Sequence, residues 1–283
     1  MNVKILVCCH KKDIMATKAP YFPIHVGKEL HKDISLGITE DNTGDNISIK
    51  NASYCELTGL YWAWKNLKGV DVIGLCHYRR YFDFHHQCKK YLPFTQFKTS
   101  QFSEIDLDIP QDMLDRISAG KVIVPRYKSY RVPLYADYCI NHISDDFFKL
   151  KEVFNTEPQE YKDAFSKIMY NNNKLMHYNM FIMKWDEFDK YCSWLFNILN
   201  KVEKVTDISN YTPVQKRIYG YMAERLFNVY LEANKLDVIR EPVIWFNDDT
   251  NAVSKELSAP KYLLRCAMDA MAMKLVKYHS TRF

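Results

Sequence analysis

The chain has 283 residues, 47% of them hydrophobic and 14% aromatic, ample for a buried core and incompatible with a disordered or low-complexity chain. Its net charge of +5 is spread among interspersed acids and bases, which excludes the clustered basic face of a nucleic-acid binder; no nucleic-acid partner is expected. No window reaches the ~20 apolar residues of a membrane-spanning helix, and the opening Met-Asn-Val-Lys-Ile-Leu-Val lacks the apolar stretch and cleavage site of a signal peptide.

Residues 3–9 form a continuous apolar run that predicts a buried strand, ended by His10-Lys11-Lys12. Residues 13–48 read as irregular, with loop chemistry from Thr39 to Asn46. A single helix is predicted over 50–67. Ser53 and Glu56 have capping-box spacing, and Leu57, Leu60, Tyr61 and Trp64 form an apolar stripe. Strands follow at 70–76, 121–125 and 178–183, with a helix at 110–118 and helical segments over 126–175. Two longer helices are expected at 186–201 and 213–234, and a short strand at 236–239. Strands alternating with helices predict an α/β three-layer fold with a mostly parallel sheet. No repeat or Pro/Gly/Ser linker divides the chain, so one domain over 1–240 is expected, followed by an extension over 241–283. In that extension residues 259–278 predict an amphipathic helix carrying Lys261, Arg265, Lys274 and Lys277. It suits peripheral contact with a membrane surface, and equally packing on the domain as a last helix. The eight cysteines form no C-x-x-C pair and mostly lie in apolar runs, which points to a reduced cytoplasmic protein without a zinc or thioredoxin-like site.

Open α/β sheets bind ligands beyond the carboxyl ends of their parallel strands. Strand 70–76 runs straight into His77-Tyr78-Arg79-Arg80. Two arginines there suit phosphate, since arginine keeps its charge and makes paired hydrogen bonds to phosphate oxygens. The plainer reading is pairing with surface carboxylates. His10 and Lys11, at the first strand's exit, are candidates to contact uracil or phosphate, or are a solvated strand end. Between Asp41 and Asn46, Gly44 permits unusual backbone angles, and Asp41, Asp45 and Asn46 offer acceptors for sugar hydroxyls.

Nucleotide-sugar enzymes often hold a divalent ion on an Asp-x-Asp triplet. Here the triplet Asp106-Leu107-Asp108 lies in an acidic loop with no strong strand before it and reads as surface. Arg79 and Arg80 then take the metal's place in stabilising a leaving diphosphate, and no metal cofactor is expected. Sugar transfer with inversion also needs a base to take the acceptor's proton. Glu224 interrupts an apolar helix and is the best candidate; its alternative is a structural pair with an arginine. Asp145 and Asp146, after His142, compete for that role, and His142 and Asp145 are candidates for holding an acceptor.

Several motifs resemble one bacterial family. They are Cys9-His10-Lys11, Asp41-x-Thr43-Gly44-Asp45-Asn46-Ile47-Ser48, the run from Asn51 to Asn66 with Tyr61-Trp62-Ala63-Trp64-Lys65-Asn66, and Gly74-Leu75-Cys76-His77-Tyr78-Arg79-Arg80-Tyr81-Phe82. Tyr178-Asn179-Met180-Phe181-Ile182-Met183 and Gly220-Tyr221-x-x-Glu224-Arg225-Leu226 complete the set. The family occurs in capsule and O-antigen gene clusters, was long carried as a domain of unknown function, and is now counted among galactofuranosyltransferases. The resemblance covers residues 3–235 and implies a GT-A-like fold, a UDP-galactofuranose donor and inverting transfer. The implied acceptor is a saccharide or an undecaprenyl-diphosphate-linked oligosaccharide at the inner face of the cell membrane. On the matching positions Thr43, Trp64, His77, Tyr78 and Asn179 join His10, Lys11, Asp41, Asp45, Asn46 and Arg225 as the candidate donor site. A different donor sugar, or a non-catalytic nucleotide-sugar or carbohydrate-binding module, is the alternative.

Overall fold

The computed structural model describes residues 1–249 and 258–280. In chain order the elements begin β1 (Val3–Cys9), β2 (Tyr21–His25), β3 (Thr39–Glu40), α1 (Asn51–Tyr54), α2 (Leu57–Asn66), β4 (Val72–His77), β5 (Arg80–Phe82), β6 (Phe94–Phe97), α3 (Gln111–Ser118) and β7 (Val122–Pro125). They continue with β8 (Lys128–Ser129), α4 (Leu134–Asn141), α5 (Ser144–Phe154), α6 (Gln159–Tyr170), β9 (Lys174–Leu175), β10 (Phe181–Lys184) and α7 (Trp185–Glu203). The last are α8 (Pro213–Lys216), α9 (Ile218–Ala233), β11 (Val238–Glu241), β12 (Val243–Phe246) and α10 (Ala259–Ser280). The chain forms two compact units, one of residues 1–126, 178–194 and the segment from 237, the other of 127–177, 195–236 and the segment that includes α10.

The first unit holds a sheet in the order β11-β7-β10-β4-β1-β2-β3, with β5, β6 and β12 joined to it beside β4. Strands β1, β2, β3 and β4 are mutually parallel, β11 is parallel to β7, and β10 runs antiparallel between β4 and β7. The sheet is thus mostly parallel, as the alternation of strands and helices predicts. Parallel strands covered on both faces need near-continuous apolar sequence, and Ile5 to Cys9 of β1 are all buried. Successive side chains point to opposite faces. Ile5 and Val7 join Ile117 of α3 and Phe246 of β12 in one cluster. Cys8 faces the other way, where a Cβ on Gly59 of α2 would lie 3.3 Å from its sulfur. On β10, Phe181 packs against Phe188 and Tyr191 of α7, while Ile182 belongs to the Ile5 cluster. Helices therefore cover both faces of the sheet.

Gly74 sits where β4 is squeezed between β1 and β10. A Cβ there would lie 2.7 Å from Ile5 Cδ1 and 2.9 Å from the Phe181 carbonyl oxygen. Because a backbone atom cannot step aside, Gly74→Ala is expected to lower stability by ~1–3 kcal/mol, read from denaturant unfolding.

Several sequence expectations change, among them the helix over 213–234, which is α8 and α9, and the strand over 178–183, which begins only at Phe181. The helix predicted over 50–67 is two helices, because Cys55 turns into the left-handed region at φ 52°. No Ser53–Glu56 capping box forms: the Ser53 hydroxyl donates to Lys50 O at 3.1 Å, and Glu56 caps α2 without a side-chain bond. Residues 13–48 are not wholly irregular, since Tyr21–His25 pairs in parallel with β1, Ile5 opposite Tyr21. Short strands broken by proline, as in Tyr-Phe-Pro-Ile-His, carry little period-2 signal. The same brevity hid β5, β6 and β12; β12 lies in the stretch read as an extension and pairs with β5 and β6.

The second unit is mainly helical. Phe147 stacks on Phe165 at 6.0 Å and packs edge-to-face on Tyr170, while Phe154 meets Phe165 at 4.2 Å. Most of α9 is buried against this aromatic core, from Ile218 to Leu231, and β8 and β9 form a small antiparallel ladder.

Candidate functional site

In the first unit the exits of β1 and β4 converge. His10 and Tyr78 make edge-to-face ring contact at 5.6 Å, and Tyr78 N–H donates to Cys8 O at 3.2 Å. The two arginines differ in their surroundings. Arg79 Nη2 donates to Asp13 Oδ2 at 2.7 Å, an acid in the loop after β1 whose side chain is 10% exposed. Lys11 stands 4.0 Å from the same carboxylate. Arg80 pairs with no carboxylate among the described residues; its guanidinium lies over the rings of Tyr178 at 4.7 Å and Trp245 at 5.6 Å. A guanidinium held over aromatic faces keeps its charge and its N–H donors. Arg80 sits on β5, opposite His77 of β4 and Trp245 of β12.

Beside it the backbone is unusual. Tyr178 and Asn179 both adopt positive φ, 74° and 51°. His77 Nε2 shares a 2.7 Å hydrogen bond with Tyr178 O, and Asn179 Nδ2 donates to Glu56 Oε1 at 2.7 Å, one residue from the left-handed Cys55. Non-glycine residues held in this region cost of order 1–3 kcal/mol each and cluster where function requires them.

The 41–46 loop is folded by its own side chains. Asp41 is wholly buried, and its carboxylate accepts from Gly27 N (2.8 Å), Lys28 N (3.1 Å) and Ser48 Oγ (2.5 Å). That residue therefore shapes the loop from within. Thr43 Oγ1 accepts from Trp62 Nε1 at 2.9 Å, Asp45 Oδ1 from Tyr61 OH at 3.2 Å, and Asn46 Oδ1 from Ser48 N at 3.1 Å. Gly44 has φ 57°, and a side chain there would run into Asn66. Trp64 Nε1 donates to Asp189 Oδ1 at 2.6 Å, and Lys65 Nζ covers its ring at 3.3 Å. The Asp106 and Asp108 side chains are 55% and 63% exposed, beside His85 and Lys18 respectively. Among the described residues no group of three His, Cys, Asp or Glu is placed to hold a metal ion.

The second unit contains Glu224, Arg225, His142 and Asp145. Glu224 is 20% exposed, with its Oε2 4.0 Å from His177 Nδ1. His177 Nε2 shares a 2.7 Å hydrogen bond with the Tyr130 hydroxyl, so tyrosine, histidine and carboxylate stand in a row. The competing acids are engaged otherwise. Asp145 is 68% exposed and bonds Lys149 at 2.7 Å, while buried Asp146 accepts from Tyr211 OH at 2.8 Å, its pKa raised by burial. Arg225 is 4% exposed; its Nη2 donates to Asp137 Oδ2 at 2.8 Å and its Nη1 to Tyr221 O at 3.1 Å.

His142 stacks on Tyr221 at 4.1 Å. Burial, and then the charge of Arg225, push its pKa down to about 4. A histidine with a depressed folded pKa binds its proton first in the unfolded chain, so its contribution is complete above the unfolded value near ~6.5 and is lost as pH falls towards 4. His142→Phe keeps a ring on Tyr221 and removes the titration. The drop in melting temperature between pH 7 and pH 4.5 is expected to be smaller in that variant than in the natural chain.

Residues 4–235 match a family described as a domain of unknown function, DUF4422. The chain belongs to that family. Among solved structures it is similar to the apo structure of the bifunctional glycosyltransferase WbbM, with a TM-score of 0.79 and 28% identity over 88% of this chain. The match spans 46% of that chain, so this chain covers about half the length of its structural relative. No curated protein matches.

The DUF4422 region takes in both strand exits, the 41–46 loop, the Tyr178–Asn179 turn and Glu224; β12 with Trp245, and α10, lie beyond it. Sequence reasoning passed over Asp13, Tyr130, Asp137, His177 and Trp245, and read Glu56 only as half of a capping box. Asp13 follows directly on His10-Lys11-Lys12 and was findable as the acid nearest the first strand's exit. Tyr130 and His177 are far from Glu224 in sequence and carry no local signal.

Proposed function

We propose that the chain is a glycosyltransferase that moves galactofuranose from UDP-galactofuranose, with inversion, to a saccharide or lipid-diphosphate-linked acceptor in surface polysaccharide synthesis. Membership of DUF4422 and the likeness to a bifunctional glycosyltransferase support the reaction class. The observation that carries the site is Arg80, a cation at the exit of a parallel strand, set on two aromatic rings and paired with no carboxylate among the described residues. On this reading Arg80, with Arg79 held by Asp13, binds the diphosphate. The acceptor oxygen bonds to C1 as the bond from C1 to the phosphate oxygen breaks, Glu224 takes the acceptor's proton, and UDP departs with its new charge beside the arginines. His10, Lys11, His77 and Tyr78 are assigned to the donor as well, together with the 41–46 loop, Trp64 and Asn179.

A donor screen tests the reading. UDP should be released from UDP-galactofuranose, faster than from UDP-galactose or UDP-glucose, and only when a saccharide acceptor is present. Tight binding of a UDP-sugar with no release on adding acceptor would make the chain a binding module. Arg80→Ala is expected to slow transfer by the ~2.7–4 kcal/mol that one lost oxyanion donor contributes, measured on protein that still melts in one cooperative transition. Because arginine occupies the strand end, transfer is expected to continue in EDTA. Loss of activity there, restored by manganese, would assign the leaving group to a metal.

A further inference from the structure

We propose that the outward face of α10 is a docking surface for an anionic lipid bilayer. The helix packs on its own unit through Tyr262, Cys266, Asp269 and Met273, spaced 4, 3 and 4 residues as one helical face requires. Asp269, 1% exposed, accepts from Ser129 Oγ at 2.8 Å, its backbone carbonyl accepts from Asn173 Nδ2 at 3.2 Å, and Met273 is 7% exposed. The opposite face carries Leu264, Met268, Met271 and Leu275, again spaced 4, 3 and 4, at 62%, 50%, 64% and 61% exposure. Leu263, at 62%, adds to it. A globular helix usually has one apolar stripe; a second, turned to solvent, marks an interaction surface.

Charge selects the occupant. At 100° per residue Lys261 and Arg265 border the outer stripe on one side and Lys274 on the other, and all three are exposed. Asp269 is the one acid between 259 and 275, and it is buried. A second copy of this helix laid on the stripe would set basic flank against basic flank in either direction, with no acid to relieve it. An anionic bilayer takes the apolar stripe into its interface while the long basic side chains reach the headgroups. The fourth basic residue expected on this helix, Lys277, lies outside the described side chains. Among the described residues no helix is long and apolar enough to cross a membrane, so the contact is with the surface.

The full chain is tested by flotation with phosphatidylcholine vesicles, with or without phosphatidylglycerol. It should float with the anionic vesicles alone and be released by high salt. Each basic residue reversed among Lys261, Arg265 and Lys274 should weaken binding by at least about fivefold. Met268→Glu/Met271→Glu alters only exposed positions, so its melting temperature should hold while flotation is lost. Failure of the natural chain to float, or equal flotation of the double variant, overturns the proposal. So does a stable oligomer, measured by light scattering, that the double variant turns into monomer while the natural chain ignores vesicles; the stripe would then cover a second copy. None of these readings depends on sugar transfer.

Discussion

Glu224→Gln is expected to reduce sugar transfer by ~10²–10⁴-fold while leaving UDP-sugar affinity nearly unchanged. The substitution keeps the shape of the side chain and removes its ability to accept a proton from an attacking hydroxyl. The residue sits on α9, a helix buried for most of its length, with its carboxylate 20% exposed and facing His177, which Tyr130 holds in turn. The alternative acids are otherwise engaged, Asp145 with Lys149 and Asp146 with Tyr211. Steady-state rates with saturating donor, together with calorimetric UDP binding, separate the two effects. A folded Glu224→Gln protein that keeps more than a tenth of natural turnover would move the base elsewhere, and Asp145→Asn and Asp146→Asn would follow. Parallel loss of UDP affinity would place Glu224 in the donor site instead.

Arg225→Leu is expected to destabilise the protein by ~3–5 kcal/mol, because it strands Asp137 as a buried acid without its cation. Burial already raises the Asp137 pKa, and the charge of Arg225 is the largest influence opposing it. The Arg225 and Asp137 side chains are 4% and 9% exposed, and Asn141 Nδ2 also donates to Asp137 at 3.1 Å. Arg225→Leu/Asp137→Leu should recover much of the loss, since replacing both members of a buried pair with apolar groups is often neutral. Denaturant unfolding of the two variants measures this. An Arg225→Leu protein with unchanged stability and weakened UDP binding would instead place Arg225 in the donor set.

Local pattern made much of the first unit legible. Val3–Cys9 and Val72–His77 are apolar runs that end in polar residues, and a strand buried on both faces has no other way to be written. Their exits, His10 and Tyr78-Arg79-Arg80, were readable as neighbours and as a candidate site because parallel strands deliver their ends to one edge. The helices expected at 110–118 and 186–201 form as Gln111–Ser118 and Trp185–Glu203, and the one expected over 213–234 forms as Pro213–Lys216 and Ile218–Ala233.

What depended on residues far apart was decided only by the tertiary structure. Sequence made Arg79 and Arg80 equivalent; Asp13 claims one, while Tyr178 and Trp245 cradle the other. Asp41 looked like a surface acceptor, yet burial against the backbone of Gly27 and Lys28 turns it inward to hold its loop. The predicted helix over 50–67 breaks at Cys55 because the Asn51 side chain bonds both Cys55 O and Thr58 Oγ1, and no helix propensity encodes that. Glu224 was singled out by its apolar neighbours in sequence, but the row beside it is made by Tyr130 and His177, which lie 94 and 47 residues before it in the chain. Periodicity records which face of an element is buried. It does not record which partner waits there, because that contact is set by the packing of segments that share no local sequence.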